Sequence, residues 1–129
     1  MLCTLFLALP PGAAAQAVHF VRLEADPAQE IYRFVPARVT AKPGDILVFR
    51  VVSGAPHNIA FEAAGLTPAA HEALNNALTD RSGDLSGPLM PQNGAQYRFR
   101  VPAMPAGRYV FFSVSHRAYD MRGELIVTR

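Results

Sequence analysis

The chain has 129 residues, half of them hydrophobic, with nine glycines, eleven prolines and a formal net charge of +2. That is long enough for one domain with a real core and too apolar for disorder, and the cationic residues, scattered arginines plus Lys42, form no run that would track a nucleic acid. The single cysteine, Cys3, lies near the start, so the remainder has no internal disulfide, no thiolate and no cysteine set for zinc.

Met1–Leu9 is apolar and is followed by Pro10-Pro11-Gly12 and then by Ala13-Ala14-Ala15-Gln16-Ala17. The order resembles the end of a secretory signal peptide with a small-residue cleavage site, although the usual basic start is missing. The apolar run is shorter than the about 20 residues that cross a bilayer. Residues 1–17 therefore read as a leader or an N-terminal anchor, with a buried first strand as the alternative. The reading predicts a periplasmic or other extracytoplasmic location, with membrane contact only through the leader or a partner. Residues 18–129 read as one domain.

Val18-His-Phe-Val-Arg-Leu-Glu24 alternates and predicts a first strand, in which His19 reads as an ordinary strand histidine. Asp26-Pro27 is a turn. Tyr32–Thr40 predicts a second strand broken by Pro36, which cannot donate to a ladder and so marks an edge or a bend between sheets. Lys42-Pro-Gly-Asp45 predicts a type II turn, with Pro43 setting φ and Gly44 free to take a positive φ. Ile46–Val52 is the most continuous apolar run and predicts a central strand. Pro56-His57 then opens a short strand whose Ile59 and Phe61 share a face. His57 has the same parity, which suits a ligand and a core histidine equally.

Pro68–Leu78 changes period. Thr67 is placed to cap a helix with Pro68 at its first position, and Ala70, Leu74 and Leu78 form the expected buried stripe. His71 falls off that stripe, toward solvent. Gly83–Asn93 reads as loop or very short strand, Asn93-Gly94 as a turn, and Tyr97–Val101 as a strand with Tyr97, Phe99 and Val101 inward. After a proline-stiffened turn, Tyr109–Phe112 and Glu124–Thr128 complete the strands. Seven or so short strands with turn signals between them, and one short helix near residues 68–78, predict an all-β sandwich.

Three segments carry a family resemblance. Phe34-Val-Pro with Ala41-Lys-Pro-Gly-Asp45, Pro56-His57-Asn58-Ile59, and Gly107–Gly123 follow one another in the order and near the spacing of the cupredoxins, most similar to the plastocyanin-like branch. Gly87-Pro-Leu-Met90 adds a fourth, weaker match. The resemblance implies a Greek-key β-sandwich. It also implies a copper site held by His57, His116 and Met121, with the family's cysteine thiolate falling on Ser113. His116 is three residues and Met121 eight residues beyond Ser113, a common loop spacing in the family. Ser115 stands where a proline is often found, and Asp120 where a glycine often precedes the methionine.

A blue-copper site depends on a short covalent copper–thiolate bond. A serine hydroxyl is neutral and hard, so copper affinity should fall and the strong visible absorption should vanish. Three readings follow. The first is a degenerate site with no cofactor, on a structural or docking module associated with a membrane-bound electron-transfer assembly. The second is a weak, non-blue copper or other metal site, with Asp120 as an extra oxygen ligand. The third is a residual electron carrier. The expected partner face is the apolar rim of Leu89, Ala118 and Tyr119 around His116. An enzyme is not expected: Ser113 and His116 invite a nucleophile reading, but serine catalysis also needs an orienting acid and an oxyanion hole, and Asp120 on a neighbouring loop is not enough for that.

Overall fold

The computed structural model describes residues 16–129, so nearly all of the leader lies outside the described residues. Strands β1 (Val18–Asp26), β2 (Ile31–Val35), β3 (Arg38–Ala41), β4 (Ile46–Val51), β5 (Ala60–Phe61), β6 (Gln96–Arg100), β7 (Gly107–Phe112) and β8 (Arg122–Val127) are joined by one helix, α1 (Pro68–Ala77). They form two four-stranded sheets, ordered β2-β1-β4-β6 and β3-β8-β7-β5. Each sheet contains one parallel pair, β1 with β4 and β3 with β8, among antiparallel ones. Among the described residues no helix is long and apolar enough to cross a membrane.

Pro36 acts as its chemistry dictates. The predicted second strand divides there into β2, at the edge of the first sheet, and β3, at the edge of the second. β4 buries every residue except Arg50, because β1 and β6 flank it. Alternation on β6 sends Tyr97 and Phe99 inward, with Val101 beyond the strand also buried. Between the sheets, Phe34, Phe49 and Phe111 meet edge-on, with ring centroids 4.9 Å apart for Phe34–Phe111 and 5.5 Å for Phe49–Phe111. Such pairs contribute about 0.5–1.5 kcal/mol each beyond the area they bury. Gly123 lets β8 pass this cluster: a Cβ there would stand 2.5 Å from the Phe111 ring and 2.9 Å from the Ala37 carbonyl.

Thr67 caps α1, its hydroxyl accepting from the Ala70 N–H at 3.1 Å, and Ala70, Leu74 and Leu78 are buried as expected. The helix ends at Ala77, one residue short of the prediction, with Leu78 as its C-cap. His71 is not simply solvated. It lies 2.7 Å from Asp84, which also accepts from Asn75 at 2.7 Å, so the helix is tied to the following loop. The predicted strand beginning at Pro56 shortens to Ala60–Phe61, and His57 instead makes an isolated two-way backbone pairing with Met90.

The Lys42–Asp45 turn forms as expected, with Gly44 at φ +92°. Its Asp45 carboxylate does more than the sequence suggested. It accepts from His19 Nε2 at 2.9 Å, from the Lys42 N–H at 3.0 Å and from the Ala17 N–H at 3.1 Å. His19 is therefore a partner that ties β1 to this turn, not an ordinary strand histidine. The His19 contact first, then the Lys42 N–H, hold the Asp45 carboxyl at about 2, below the 3.8 of an unperturbed aspartate.

Two outcomes follow. Because the folded state holds the depressed pKa, the stability Asp45 supplies is complete above 3.8 and is lost as pH falls through about 2. Thermal melts of Asp45→Asn should lack that part of the acid dependence and be less stable at neutral pH. Gly123→Ala should destabilise by about 1–3 kcal/mol in urea unfolding, as overpacking at a filled site does.

Candidate metal centre

β7 ends at Phe112, and the chain turns through Ser113 into a short 3₁₀ segment, Val114–Tyr119. Backbone hydrogen bonds close this loop on itself. The Ser113 N–H donates to the Met121 carbonyl at 3.1 Å, the His116 N–H to the Ser113 carbonyl at 3.2 Å, and the Met121 N–H to the His116 carbonyl at 3.4 Å. The three loop positions singled out in the sequence are thus linked before any side chain is considered. Asp120 completes the turn at φ +57°, in the left-handed region that glycine adopts without cost and aspartate tolerates better than most residues.

Asn58 joins the loop to the segment that carries His57. Its Oδ1 accepts from the Val114 N–H at 2.7 Å, and its own N–H points to the Ser113 hydroxyl at 3.5 Å. The two imidazoles, 59 positions apart in the chain, lie with ring centroids 4.7 Å apart. His57, Ser113 and Met121 are buried, and His116 is half-buried.

His57 Nε2 lies 2.9 Å from the Ser53 carbonyl, which acts only as an acceptor, so Nε2 carries the proton. The other nitrogen, Nδ1, is then a lone-pair acceptor; it is buried and has no protein partner. His116 Nε2 donates in the same way to the Pro56 carbonyl at 3.1 Å. Tyr32 on β2 stacks on the His116 ring at 4.2 Å and 14° and also touches Tyr119, at 4.7 Å. Burial, reinforced by the facing His116 and opposed by the Ser53 carbonyl, lowers the His57 pKa below 6.5.

The fold therefore brings His57, His116, Ser113 and Met121 to one end of the sandwich. Asp120 takes another role. Its side chain is 77% exposed and paired with Arg122 at 2.7 Å, so the carboxylate expected as an extra oxygen ligand is held by a guanidinium at the surface. Leu89, Ala118 and Tyr119 are exposed, and Val114 joins them. Tyr32 and the clamping role of Asn58 went unread in the sequence. Asn58 stands beside His57, but nothing local marks its bond to Val114, and Tyr32 comes from a different strand altogether.

The donors at this end are two imidazoles and a hydroxyl, with the buried Met121 joined to them through the backbone of the loop. This set does not fit a blue-copper centre, which needs the thiolate. It does fit a weaker, neutral site, because a buried imidazole lone pair without a hydrogen-bond donor is what a metal ligand presents. No group of three or more His, Cys, Asp or Glu side chains placed for a metal occurs among the described residues.

A two-sheet sandwich with histidines and a methionine gathered at the end of β7 defines a cupredoxin-like protein. Residues 21–128 match the model for copper binding proteins of the plastocyanin/azurin family, and the chain belongs to that family. It is similar to plastocyanin from Nostoc punctiforme, 28% identical over 123 residues that cover 95% of this chain and 81% of the relative. The oxidized plastocyanin structure from Dryopteris crassirhizoma superposes with a TM-score of 0.66 at 24% identity, covering 84% of this chain and 99% of the other. Amicyanin from Paracoccus versutus gives 0.53 at 22% identity, covering 92% and 86%. At these identities the two structures speak for the fold.

His57 should stay neutral to a lower pH than an ordinary histidine and should charge only as the pH falls toward its lowered pKa. The unfolded chain takes up that proton first, so stability should fall as pH drops through this window. Titration of the His57 ring by proton NMR checks the sign; a midpoint at or above the ordinary histidine value would contradict it.

Proposed function

We propose that this chain is an extracytoplasmic cupredoxin-fold protein that does not run blue-copper electron transfer and serves as a structural or docking module beside a membrane-bound electron-transfer assembly. The observation that carries the reading is Ser113. It is fully buried at the junction of β7 and the loop, where the thiolate would stand, and its nearest hydrogen-bond partner is the Asn58 N–H at 3.5 Å. The hydroxyl supplies neither the charge nor the covalency that short-bond copper chemistry requires. Around it the loop keeps its closed shape, and Leu89, Val114 and Tyr119 stand 54%, 52% and 45% exposed, an apolar rim suited to a protein partner. The electron-transfer setting rests on likeness to plastocyanins, of which one fern protein is described in oxidized and reduced structures. Catalysis by Ser113 is disfavoured, because its side chain is buried and His116 Nε2 is taken by the Pro56 carbonyl.

One observation favours a second reading, a weak non-blue metal site: the unpartnered Nδ1 of His57. His57, His116 and Met121 would hold the ion, with the Ser113 hydroxyl beside them. Copper bound there would supply a redox-active ion with lower affinity than a thiolate site gives. The protein's own part is positional. The Ser53 and Pro56 carbonyls fix the two imidazole tautomers, and Tyr32 holds His116 by stacking.

Copper titration followed by absorption and paramagnetic resonance separates these. The docking reading expects no bound-copper signal. The second expects a weak tetragonal Cu(II) signal without an intense visible band, and an intense band would overturn both. Ser113→Cys should create that band, since the histidines, the thioether and the loop register are already in place. Replacing Leu89 and Tyr119 together with alanine should abolish co-purification with the assembly from solubilised membranes; unchanged association would argue against the rim.

A further inference from the structure

The arginines that look scattered in the sequence are gathered by the fold. On the outer face of the β2-β1-β4-β6 sheet, alternate positions of neighbouring strands come into register. Arg22 on β1 lies opposite Arg50 on β4, which lies opposite Gln96 on β6. One row along, Phe20, Val48 and Arg98 are opposite one another, and in the next Val18, Ile46 and Arg100. On the other side of β1, Glu24 faces Arg33 of β2. With strands about 4.8 Å apart and same-face residues about 7 Å apart along each strand, five guanidinium-bearing residues share one patch.

Two acidic residues share this face. Glu24 is bracketed by Arg22 at 3.3 Å and Arg33 at 3.1 Å, and Asp26 lies at the far end of β1 opposite Ile31. Arg50, Arg98 and Arg100 make no ion pair among the described residues. Arg22 and Arg50 are register partners in the parallel β1–β4 pair, which gathers positive charge at the middle of the face. The same face carries exposed apolar side chains: Phe20 at 68%, Val18 at 45% and Ile31 at 40%, with Val52 at 45% just past the end of β4.

We infer that this face docks on an anionic phospholipid surface. Guanidinium groups match phosphate in charge and in forked hydrogen-bond geometry, and an aromatic ring set among them suits the boundary between headgroups and acyl chains. The face is a sheet surface on which cations and apolar groups are interspersed, which fits an extended interface better than a single acidic segment. The chain before it agrees: the apolar Met1–Leu9 run leads into β1, whose Val18 and Phe20 lie on this face. The surface is built from different residues than the His116 rim, so it holds whether or not that end binds metal.

Sedimentation of the full chain with vesicles tests this. Binding to an equal mixture of phosphatidylglycerol and phosphatidylcholine should exceed binding to phosphatidylcholine alone by roughly tenfold or more at low salt, and should fall as salt is added. Arg50→Glu with Arg98→Glu should remove most of that difference, and Phe20→Ser should weaken binding to the anionic vesicles. Arg81→Glu, off this sheet, should leave it unchanged. Melting curves establish that each variant is folded, and the salt dependence of the unmodified chain gives a readout that needs no variant. Equal binding to both vesicle types would mean that the apolar leader alone is responsible and would overturn the inference. So would anionic binding unaffected by the double charge reversal, or capture by soluble polyglutamate without vesicle binding.

Discussion

The geometry at the histidine end hangs on one amide side chain. Asn58 accepts from the Val114 N–H at 2.7 Å and directs its own N–H at Ser113. Without it, the His57 segment would be held against the loop that carries His116 only by strand pairing and by one bond from the His116 ring. The β5–β7 pairing covers only Ala60 with Phe112 and Phe61 with Phe111, so the approach of the two segments beyond it depends on side-chain bonds. The Pro56 carbonyl adds a second link, to His116. A net hydrogen bond contributes only about 0.5–1.5 kcal/mol, so the clamp matters less for global stability than for holding two imidazoles in one arrangement.

That arrangement has a closed loop and oriented rings but no anionic ligand. His57 keeps a buried acceptor nitrogen without a donor, while Met121 is also buried and Ser113 replaces the charge with a weak dipole. An unpartnered buried acceptor is costly, on the order of 1–3 kcal/mol. A well-packed sandwich can carry that cost, because its aromatic core lies between the sheets and does not depend on this end. Shape and chemistry at the site are thus separable: backbone bonds preserve the loop, and one side chain decides what the loop can do.

The loop rim and the outer sheet face are different kinds of surface. The rim beside His116 is apolar and loop-built. The outer sheet face is rigid, cationic and set by strand register. Loops can change composition with little effect on the core, whereas a change on the sheet face is constrained by the neighbours across each strand. Both surfaces are independent of the hydroxyl at Ser113, and the proposed binding roles rest on them.

Much of this was legible in the chain. Period-two alternation gave β6 and its inward Tyr97 and Phe99, Pro36 gave the change of sheet, and Thr67-Pro68 gave the helix start. These are local effects of side-chain parity and backbone restriction, so a linear reading contains them. The order and spacing of His57, Ser113, His116 and Met121 marked these residues as candidates for the same reason. The tertiary structure alone decided what those residues meet. Tyr32 reaches His116 because β2 lies at the sheet edge, Asp120 is lost to Arg122, and His19 finds Asp45. It also gathered five arginines that appear at irregular intervals in the sequence, because register between strands, not distance along the chain, fixes which side chains share a face.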